Sequence, residues 1–135
     1  MLNALIVSDW FWYIIGAEDQ WALDARVIMD KIINDVQKLN TELSPLPVLL
    51  TKYKTNNTQS KRMKQSCQET FEKGVFPTTV RDSTFISKSN SARQTIFEYD
   101  GRHNCAKDYA AVTRDLMKTV ELKRNDHIEP EEKMP

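Results

Sequence analysis

An unbroken apolar run near the start of the chain, WFWYII at residues 10–15, constrains the fold more than any other feature. A strand with one solvated face alternates apolar and polar residues, whereas a run without alternation is typical of a strand covered on both faces in a parallel sheet. The run is too short to cross a bilayer, which takes roughly 20 apolar residues. We therefore expect a buried strand here, and we favour it over a platform on which nucleic-acid bases stack.

Helices and short strands alternate after this run. A helix is predicted over residues 21–39, with Asp19 as its N-cap. A second strand is predicted over 47–53 and a second helix over 58–73, followed by Gly74 at the helix C-terminus. The stripe expected to face the core on the first of these helices consists of Ala25, Ile28, Met29, Ile32, Val36 and Leu39.

Shorter elements complete the pattern. Residues 2–8 have the character of a helix end, and residues 75–80 form a third, shorter strand. Residues 81–95 are predicted as a polar loop with room for one helical turn, and residues 96–100 as extended. A last helix begins near Asn104. Its predicted apolar face consists of Ala106, Tyr109, Ala110, Leu116, Met117 and Val120, with Thr113 in the middle.

This order predicts the fold class. Strands that alternate with helices imply a parallel sheet with right-handed crossovers. We predict an α/β fold, a partial doubly wound parallel sheet of about three strands with flanking helices. One domain is expected over residues 1–120, with a flexible polar tail over 121–135. The strand at 10–15 would then be an open edge of the sheet.

Charge is balanced overall but unevenly distributed. Lys and Arg number 19, as do Asp and Glu, so the formal net charge of zero favours no class of partner. Residues 43–68, however, contain no acidic residue. A solvated helix face is the common explanation of such a charge run, and contact with nucleic-acid phosphates is the functional one. The cations of this segment are Lys52, Lys54, Lys61, Arg62 and Lys64.

Cysteine and histidine give no sign of a catalytic or metal site. Cys67 and Cys105 form no CxxC pair and fit a reducing cytosol. His103 and His127 have no acidic or cysteine partner at metal-ligand spacing, and both are expected at the surface. We therefore predict no catalytic residue and no metal. Because Asp9 rather than a basic segment precedes the apolar run, no signal peptide is visible, and a cytoplasmic location is expected.

Four segments carry a resemblance to a known family. They are LNALIVSDWFWYII at 2–15, WALD at 21–24, PVLLTKYKTNNTQS at 47–60 and VRDSTFISKSNSARQTIFEYDGRHNCAKDY at 80–109. Their order and spacing resemble the C-terminal half of the ParA/Soj partition ATPases, the branch of P-loop proteins with a deviant Walker motif that also includes MinD. The likeness covers roughly residues 2–120.

The resemblance implies a missing neighbour for the apolar strand. In the family, the strand matching residues 10–15 is interior and lies beside the P-loop strand, which precedes it in sequence. This sequence has glycines only at Gly16, Gly74 and Gly101, and none belongs to the Gly-Lys-Ser/Thr motif of a phosphate-binding loop. ATP and Mg²⁺ are the family's cofactors. For this chain, a truncated half of the fold, we expect no cofactor and no hydrolysis of its own.

The resemblance also implies two groups of site residues. Family dimers bind non-specific DNA, which implies a DNA-facing surface, and strand ends in the family flank the adenine base. The expected DNA-facing residues are Lys52, Lys54, Lys61, Arg62, Lys64, Arg81, Lys88 and Arg93, and the expected base-facing residues are Thr51, Lys52, Arg81, Asp82 and Ser83.

Two functions follow as hypotheses. The first is a DNA-partition role in the bacterial cytosol and nucleoid, with DNA and a partition adaptor protein as partners. The second is an interaction module that pairs through the open edge at residues 10–15 with another copy or with a full-length ParA-type ATPase. An inactive gene remnant is a third possibility. The tail lacks the basic amphipathic helix of MinD-type members, so no membrane partner is expected.

Overall fold

The computed structural model describes residues 2–126, and side chains through residue 121. Within that part the chain is a mixed α/β domain with parallel strand pairs, which confirms the predicted fold class. In chain order the elements are α1 (Leu2–Ile6), β1 (Trp10–Phe11), β2 (Ile14–Gly16), α2 (Trp21–Gln37), β3 (Ser44–Pro45), β4 (Leu49–Thr51), α3 (Thr58–Thr70), α4 (Thr84–Ser91), α5 (Ile96–Asp100) and α6 (Asn104–Asp126).

The predicted strand at 10–15 is two short strands. β1 pairs with β3 and β2 pairs with β4, both in parallel. The backbone N–H of Leu46 donates to Phe11 O at 2.9 Å and that of Leu49 to Tyr13 O at 3.0 Å. These donors are three residues apart whereas their acceptors are two residues apart, so the pairing register shifts by one residue and the ladder is interrupted there. Instead, the indole Nε1 of Trp12 donates to Pro47 O at 2.7 Å. The prediction of one continuous strand was wrong, because the pairing register changes by one residue between the two ladders.

The third predicted strand is an extended segment with two isolated parallel bridges. Val48 pairs with Val75, and Tyr53 pairs with Arg81. Between these bridges the backbone N–H groups of Phe76 and Val80 donate to Val48 O and Leu50 O, so the donors are four residues apart whereas the acceptors are two apart. The segment at 75–81 therefore runs parallel to β4 as predicted, but without the regular ladder of a strand.

Helices cover both faces of the sheet. On one face, Ile15 and Leu50 pack with Met63 and Cys67 of α3. On the other face, a cluster at α6 contains Leu49, Phe76, Val80 and Val112. Trp12 belongs to the α6 side, where its ring lies 5.3 Å from Phe76, and Tyr13 belongs to the α3 side, 5.3 Å from Phe71. Ile14 is 60 % exposed, so the expectation of a strand covered on both faces fails at that residue.

α2 lies where it was predicted but is rotated about its axis. Ile33 and Val36 are buried, whereas Ile28 and Leu39 of the predicted core-facing stripe are 66 % and 75 % exposed. The core-facing side also includes the polar residues Arg26 and Asp30. These two form an ion pair, in which Arg26 Nε lies 2.9 Å from Asp30 Oδ2. The hydroxyl of Tyr13 donates to Asp30 Oδ1 at 2.7 Å, and the Arg26 guanidinium lies 4.5 Å from the centre of the Phe71 ring. Paired polar residues thus occupy a face that the hydrophobic pattern does not assign to the core.

The ends of α2 and α3 differ slightly from the prediction. The N-cap position of α2 is Gln20, whose side chain makes no capping hydrogen bond. Asp19 nevertheless accepts from the backbone N–H of Trp21 at 3.1 Å. α3 begins after Asn57, whose side chain accepts from two backbone N–H groups. α3 ends at Thr70, so Gly74 lies in the following turn, with φ of 65°.

Residues 81–100 form more helix than the sequence analysis predicted. The segment expected as a loop contains α4, with Ser83 as its N-cap. The segment expected as extended is α5, and that prediction was wrong. A capping box fixes its start: the backbone N–H of Glu98 donates to Thr95 Oγ1, and the backbone N–H of Thr95 donates to Glu98 Oε2.

α6 begins at Asn104 as predicted and continues to Asp126, beyond the expected start of the tail. Residues 127–135, the rest of that tail, lie outside the described residues. The core-facing side of α6 is shifted from the predicted stripe, because Val112 is buried and Met117 is 55 % exposed. At the other end of the chain, α1 packs against α2, and the Asn40 side-chain amide donates to Leu5 O and Ser8 O.

Candidate functional site

The carboxyl edge of the parallel strands is the candidate site. Ligands of open α/β sheets bind at this edge, because the loops that follow parallel strands meet there. An open cavity of about 460 Å³ lies at the ends of β2 and β4. Its lining residues are Gly16, Glu18, Asp19, Thr51 and Lys52.

Lys54 joins the loops that follow three parallel segments. Its Nζ donates to Glu18 Oε1, after β2, and lies 3.4 Å from Asp82 Oδ2, after the segment at 75–81. The hydrogen bond with Glu18 raises the pKa of Lys54, and the contact with Asp82 raises it further. All three side chains are more than 40 % exposed, so water screens these ion pairs. The charge of Lys54 is therefore offset by two carboxylates.

The predicted base-facing residues come from two neighbouring segments. The backbone N–H of Tyr53 donates to Val80 O at 3.0 Å, and that of Asp82 donates to Tyr53 O at 3.1 Å. These bonds hold the segment that contains Thr51 and Lys52 beside the segment that contains residues 81–83. Lys52 has φ of 51°, a left-handed conformation that is uncommon for a residue with a side chain.

Besides Asp82, which contacts Lys54, two more of these side chains are already engaged. Ser83 Oγ accepts from the backbone N–H of Phe85 at 3.2 Å, so it caps α4. Arg81 forms a bidentate pair with Asp108 of α6: Nε lies 2.7 Å from Oδ2 and Nη2 lies 2.9 Å from Oδ1. This hydrogen bonding raises the pKa of Arg81. Arg81 thus holds the end of its segment against α6.

The sequence analysis did not identify Glu18 and Asp108 as members of the site. They lie 36 residues from Lys54 and 27 residues from Arg81 along the chain. Asp108 does carry one sequence signal, since an acidic residue on the inward side of an amphipathic helix calls for a cationic partner. That signal gives no indication of which cation pairs with it.

The remaining cations of the acid-free segment lie around the start of α3. Lys61 and Arg62 are exposed, and within residues 2–121 neither forms an ion pair. Lys64 lies over the Tyr53 ring, 5.9 Å from its centre. The backbone N–H of Lys54 donates to Ser60 Oγ at 3.2 Å, which ties the loop after β4 to α3. A cavity of about 510 Å³ between α2 and α3 reaches Arg62.

Lys88 and Arg93 belong to a different element. Lys88 lies on α4, with Nζ 5.0 Å from the centre of the Phe85 ring, and Arg93 follows α4 with φ of 54°. α4 packs against α5. The predicted DNA-facing residues therefore form two groups: one around β4 and the start of α3, and one on α4 and its C-terminal turn.

Other titratable groups have structural roles. His103 is half-buried rather than fully at the surface. Its ring stacks on Phe85 at 4.0 Å, and its Nδ1 accepts from the backbone N–H of Cys105 at 3.2 Å. Across residues 2–126, no three His, Cys, Asp or Glu side chains come together in a way that could hold a metal ion. His127 lies outside the described residues. In the same part of the chain, no helix combines the length and the apolar character needed to cross a membrane.

Comparisons with known proteins give structural similarity without a sequence match. No protein-family model and no curated protein sequence matches the chain. Among solved structures, the chain is similar to a plasmid partition protein from Borrelia burgdorferi, with a TM-score of 0.43 and 24 % sequence identity. The match covers 73 % of this chain and 36 % of that chain, so the chain spans about a third of that partition protein.

Proposed function

We propose that this chain is the distal half of a ParA-type partition fold and that it contributes a DNA-facing basic surface. One observation carries the proposal: Lys61 and Arg62 are exposed, lie in an acid-free segment, and have no carboxylate partner in the part of the chain whose side chains are described. Unpaired exposed cations contact DNA phosphates without regard to sequence. The four sequence segments that resemble the family support the same function.

The basic surface has a centre and weaker contributors. Lys52, Lys61, Arg62 and Lys64 form its centre, since no carboxylate within residues 2–121 pairs with them. Lys54 and Arg81 contribute less, because Glu18 and Asp82 offset the charge of Lys54 and Asp108 offsets that of Arg81. Lys88 and Arg93 supply the second group on α4 and its C-terminal turn.

The carboxyl edge supplies the base-facing side of a nucleotide site in this proposal. Thr51 and Lys52 lie beside residues 81–83, next to an open cavity. Because the sequence has no Gly-Lys-Ser/Thr motif, phosphates and Mg²⁺ would have to be held by another chain or segment. In this function the chain alone does not hydrolyse ATP. It works in the bacterial cytosol with DNA and a partition adaptor protein.

A DNA-binding titration tests the proposal. Fluorescence anisotropy of a labelled mixed-sequence duplex is measured between about 50 and 200 mM salt for the unaltered chain and for the double variant Lys61→Glu/Arg62→Glu. We expect the double variant to lose affinity by about tenfold or more at the lower salt concentration. We also expect the slope of log affinity against log salt to become shallower by about 2.

The matched control changes two exposed lysines of α6, Lys107→Glu/Lys118→Glu. α6 covers the sheet face opposite α3, so this control carries the same change in net charge away from the proposed surface. We expect it to change affinity by less than about threefold. Equal losses in both double variants, or no binding by the unaltered chain at low salt, would contradict the proposal.

The open strand edge supports a second candidate function. β2 pairs only with β4 among the elements described, and Ile14 at this edge is 60 % exposed. An unpaired edge can add a strand from another copy or from a full-length relative. Ile14→Lys should abolish capture of such a relative in a pull-down. Phe97→Lys, which changes an apolar side chain 53 % exposed on α5, should leave capture intact.

A further inference from the structure

Another cavity lies between α2, the sheet and the turn that follows α3. Its volume is about 300 Å³. This is at the lower limit of the range for small-molecule sites, which is about 300–1,000 Å³. Aromatic and aliphatic side chains line much of it, among them Phe11 and Leu46. The charged residues that line it are Arg26, Asp30, Glu72 and Lys73.

Arg26 is oriented by an aromatic ring rather than by its carboxylate partner. Its guanidinium lies over Phe71, 4.5 Å from the centre of the ring. Nε lies 2.9 Å from Asp30 Oδ2, yet this buried N–H makes no hydrogen bond to Asp30 or to any other group in residues 2–121. A buried donor without an acceptor lowers stability and is rare in folded proteins. The stack on Phe71 therefore holds the guanidinium in an orientation that the ion pair alone would not favour.

The terminal nitrogens of Arg26 are its accessible donors. Nε is buried, whereas the side chain as a whole is 27 % exposed, and neither Nη atom hydrogen-bonds within the part of the chain whose side chains are described. The Asp30 carboxylate is engaged from another direction, since its Oδ1 accepts from the Tyr13 hydroxyl at 2.7 Å. The Nη edge of a guanidinium presents parallel N–H donors that match the two oxygens of a carboxylate. It is therefore suited to a carboxylate that enters from the cavity.

The formal charges that line the cavity are balanced. Arg26 and Lys73 are its cations, and Asp30 and Glu72 are its carboxylates. A ligand with a net charge of either sign therefore gains little from the site as a whole. Glu72 and Lys73 are exposed, and among the described side chains neither forms an ion pair. Glu72 can accept from an ammonium group while Arg26 donates to a carboxylate, so a zwitterion satisfies both residues at once.

We propose that this cavity binds a free α-amino acid with an apolar side chain. The α-carboxylate pairs with the terminal nitrogens of Arg26, and the α-ammonium pairs with the Glu72 carboxylate. The apolar side chain packs against Phe11 and Leu46. Because the cavity is small and open to solvent and the ligand has few atoms, the expected affinity is low, with Kd on the order of 1 mM.

A titration with L-phenylalanine, followed by proton–nitrogen NMR spectra of the isotope-labelled chain, tests the proposal. We expect the backbone amide signals of residues 26–34 and 71–73 to shift and to saturate as the ligand approaches about 20 mM. Amide signals of α6, which covers the opposite face of the sheet, should stay in place. No shift at that concentration, or saturable shifts centred on α6, would overturn the proposal. None of these outcomes depends on DNA binding.

Two analogues of phenylalanine test the zwitterion. 3-Phenylpropionate lacks the ammonium group and phenethylamine lacks the carboxylate, and both keep the aromatic ring. We expect each to bind about tenfold more weakly than L-phenylalanine, because each loses one charge-assisted contact. Equal binding of 3-phenylpropionate would overturn the role of Glu72, and equal binding of phenethylamine would overturn the role of Arg26.

Two variants with matched controls assign the residues. Arg26→Lys keeps the positive charge but removes the planar fork, and we expect it to raise Kd for L-phenylalanine by about tenfold. Arg114→Lys makes the same change on α6 and should leave Kd unaltered. Glu72 is exposed, so Glu72→Gln tests the site without disturbing the fold. It should weaken binding of L-phenylalanine but not of 3-phenylpropionate, whereas Glu69→Gln, outside the cavity, should change neither. An unaltered Kd for L-phenylalanine in Arg26→Lys or in Glu72→Gln would overturn the proposal.

Discussion

Arg81 and Asp108 form a bidentate ion pair that joins the end of the segment at 75–81 to α6. The Asp108 carboxylate also accepts the backbone N–H of Arg81 at 3.1 Å, so one side chain satisfies three donors. The Asp108 side chain is 11 % exposed, whereas that of Arg81 is 49 % exposed. The pair therefore has one buried partner and one that reaches water.

Removal of Asp108 should destabilise the domain more than removal of a surface acid. We expect Asp108→Ala to lower the free energy of unfolding by about 2–3 kcal/mol, because it removes three hydrogen bonds and leaves the partly buried backbone N–H of Arg81 without an acceptor. Asp108→Asn should lower the free energy of unfolding by less, since its amide oxygen can still accept a hydrogen bond from Arg81. Urea denaturation followed by circular dichroism measures both values.

Asp35→Ala is the matched control for this measurement. Asp35 pairs with Lys38 at 2.6 Å, but both side chains are more than 70 % exposed. A surface pair contributes less than about 1 kcal/mol. If Asp35→Ala and Asp108→Ala lowered the free energy of unfolding by similar amounts, burial of the Asp108 carboxylate would make no contribution to stability.

The capping box of α5 should make stability depend on acid pH. Hydrogen bonds from the Thr95 backbone N–H and then from its hydroxyl lower the pKa of Glu98 below its ordinary value of 4.5. Because the pKa of Glu98 is lower in the folded chain than in the unfolded chain, ionised Glu98 stabilises the fold at pH values above its ordinary pKa. This stability is lost as the pH falls through the lowered pKa. Melting temperatures of Glu98→Gln should fall less between pH 6 and about pH 3 than those of the unaltered chain. Identical pH profiles for the two proteins would contradict the prediction.

Neutralising the partners of Lys54 should strengthen DNA binding. Glu18 and Asp82 now offset its charge, so Glu18→Gln/Asp82→Asn frees one cation and removes two anions near the basic surface. We expect affinity for a mixed-sequence duplex to rise by about tenfold at low salt. Lys54→Ala should weaken binding less than Lys61→Ala does. The reverse order would show that the ion pairs of Lys54 open when DNA binds.

Cys67 should react only when the chain unfolds. Its side chain is fully buried between α3 and the sheet, and burial raises the pKa of its thiol. The thiolate is the reactive form, so both effects slow modification. We expect labelling by a thiol reagent at pH 8 to proceed no faster than global opening and to accelerate with urea in parallel with the loss of helical signal. Rapid labelling without urea would contradict this burial.

Long periodic segments were predictable from the sequence, and short ones were not. α2, α3 and α6 begin where the amphipathic pattern and turn residues place them. α5 was missed although Thr95 and Glu98 have the spacing of a capping box, because five residues carry too little periodicity to identify a helix. The break between β3 and β4 is a shift of one residue in the pairing register, which is local to the ladder.

The candidate site was predictable in outline only. Parallel strands end at one edge, so the nearness of Thr51 to residues 81–83 follows from the predicted topology. The ion pairs were not predictable, because the carboxylates that pair with Lys54 and Arg81 belong to segments far away along the chain. The rotation of α2 was missed for a similar reason: the Arg26–Asp30 pair faces inward toward Tyr13.

The hydrogen bond from the Trp12 indole to Pro47 gives the chain an intrinsic optical probe at the centre of its sheet. An indole in a closed, hydrogen-bonded environment emits at a different wavelength from one in water, so Trp12 emission reports whether these two segments are in register. Phenylalanine at Trp10 and Trp21 would leave Trp12 as the sole indole. Local separation of the two segments could then be timed separately from melting of the helices.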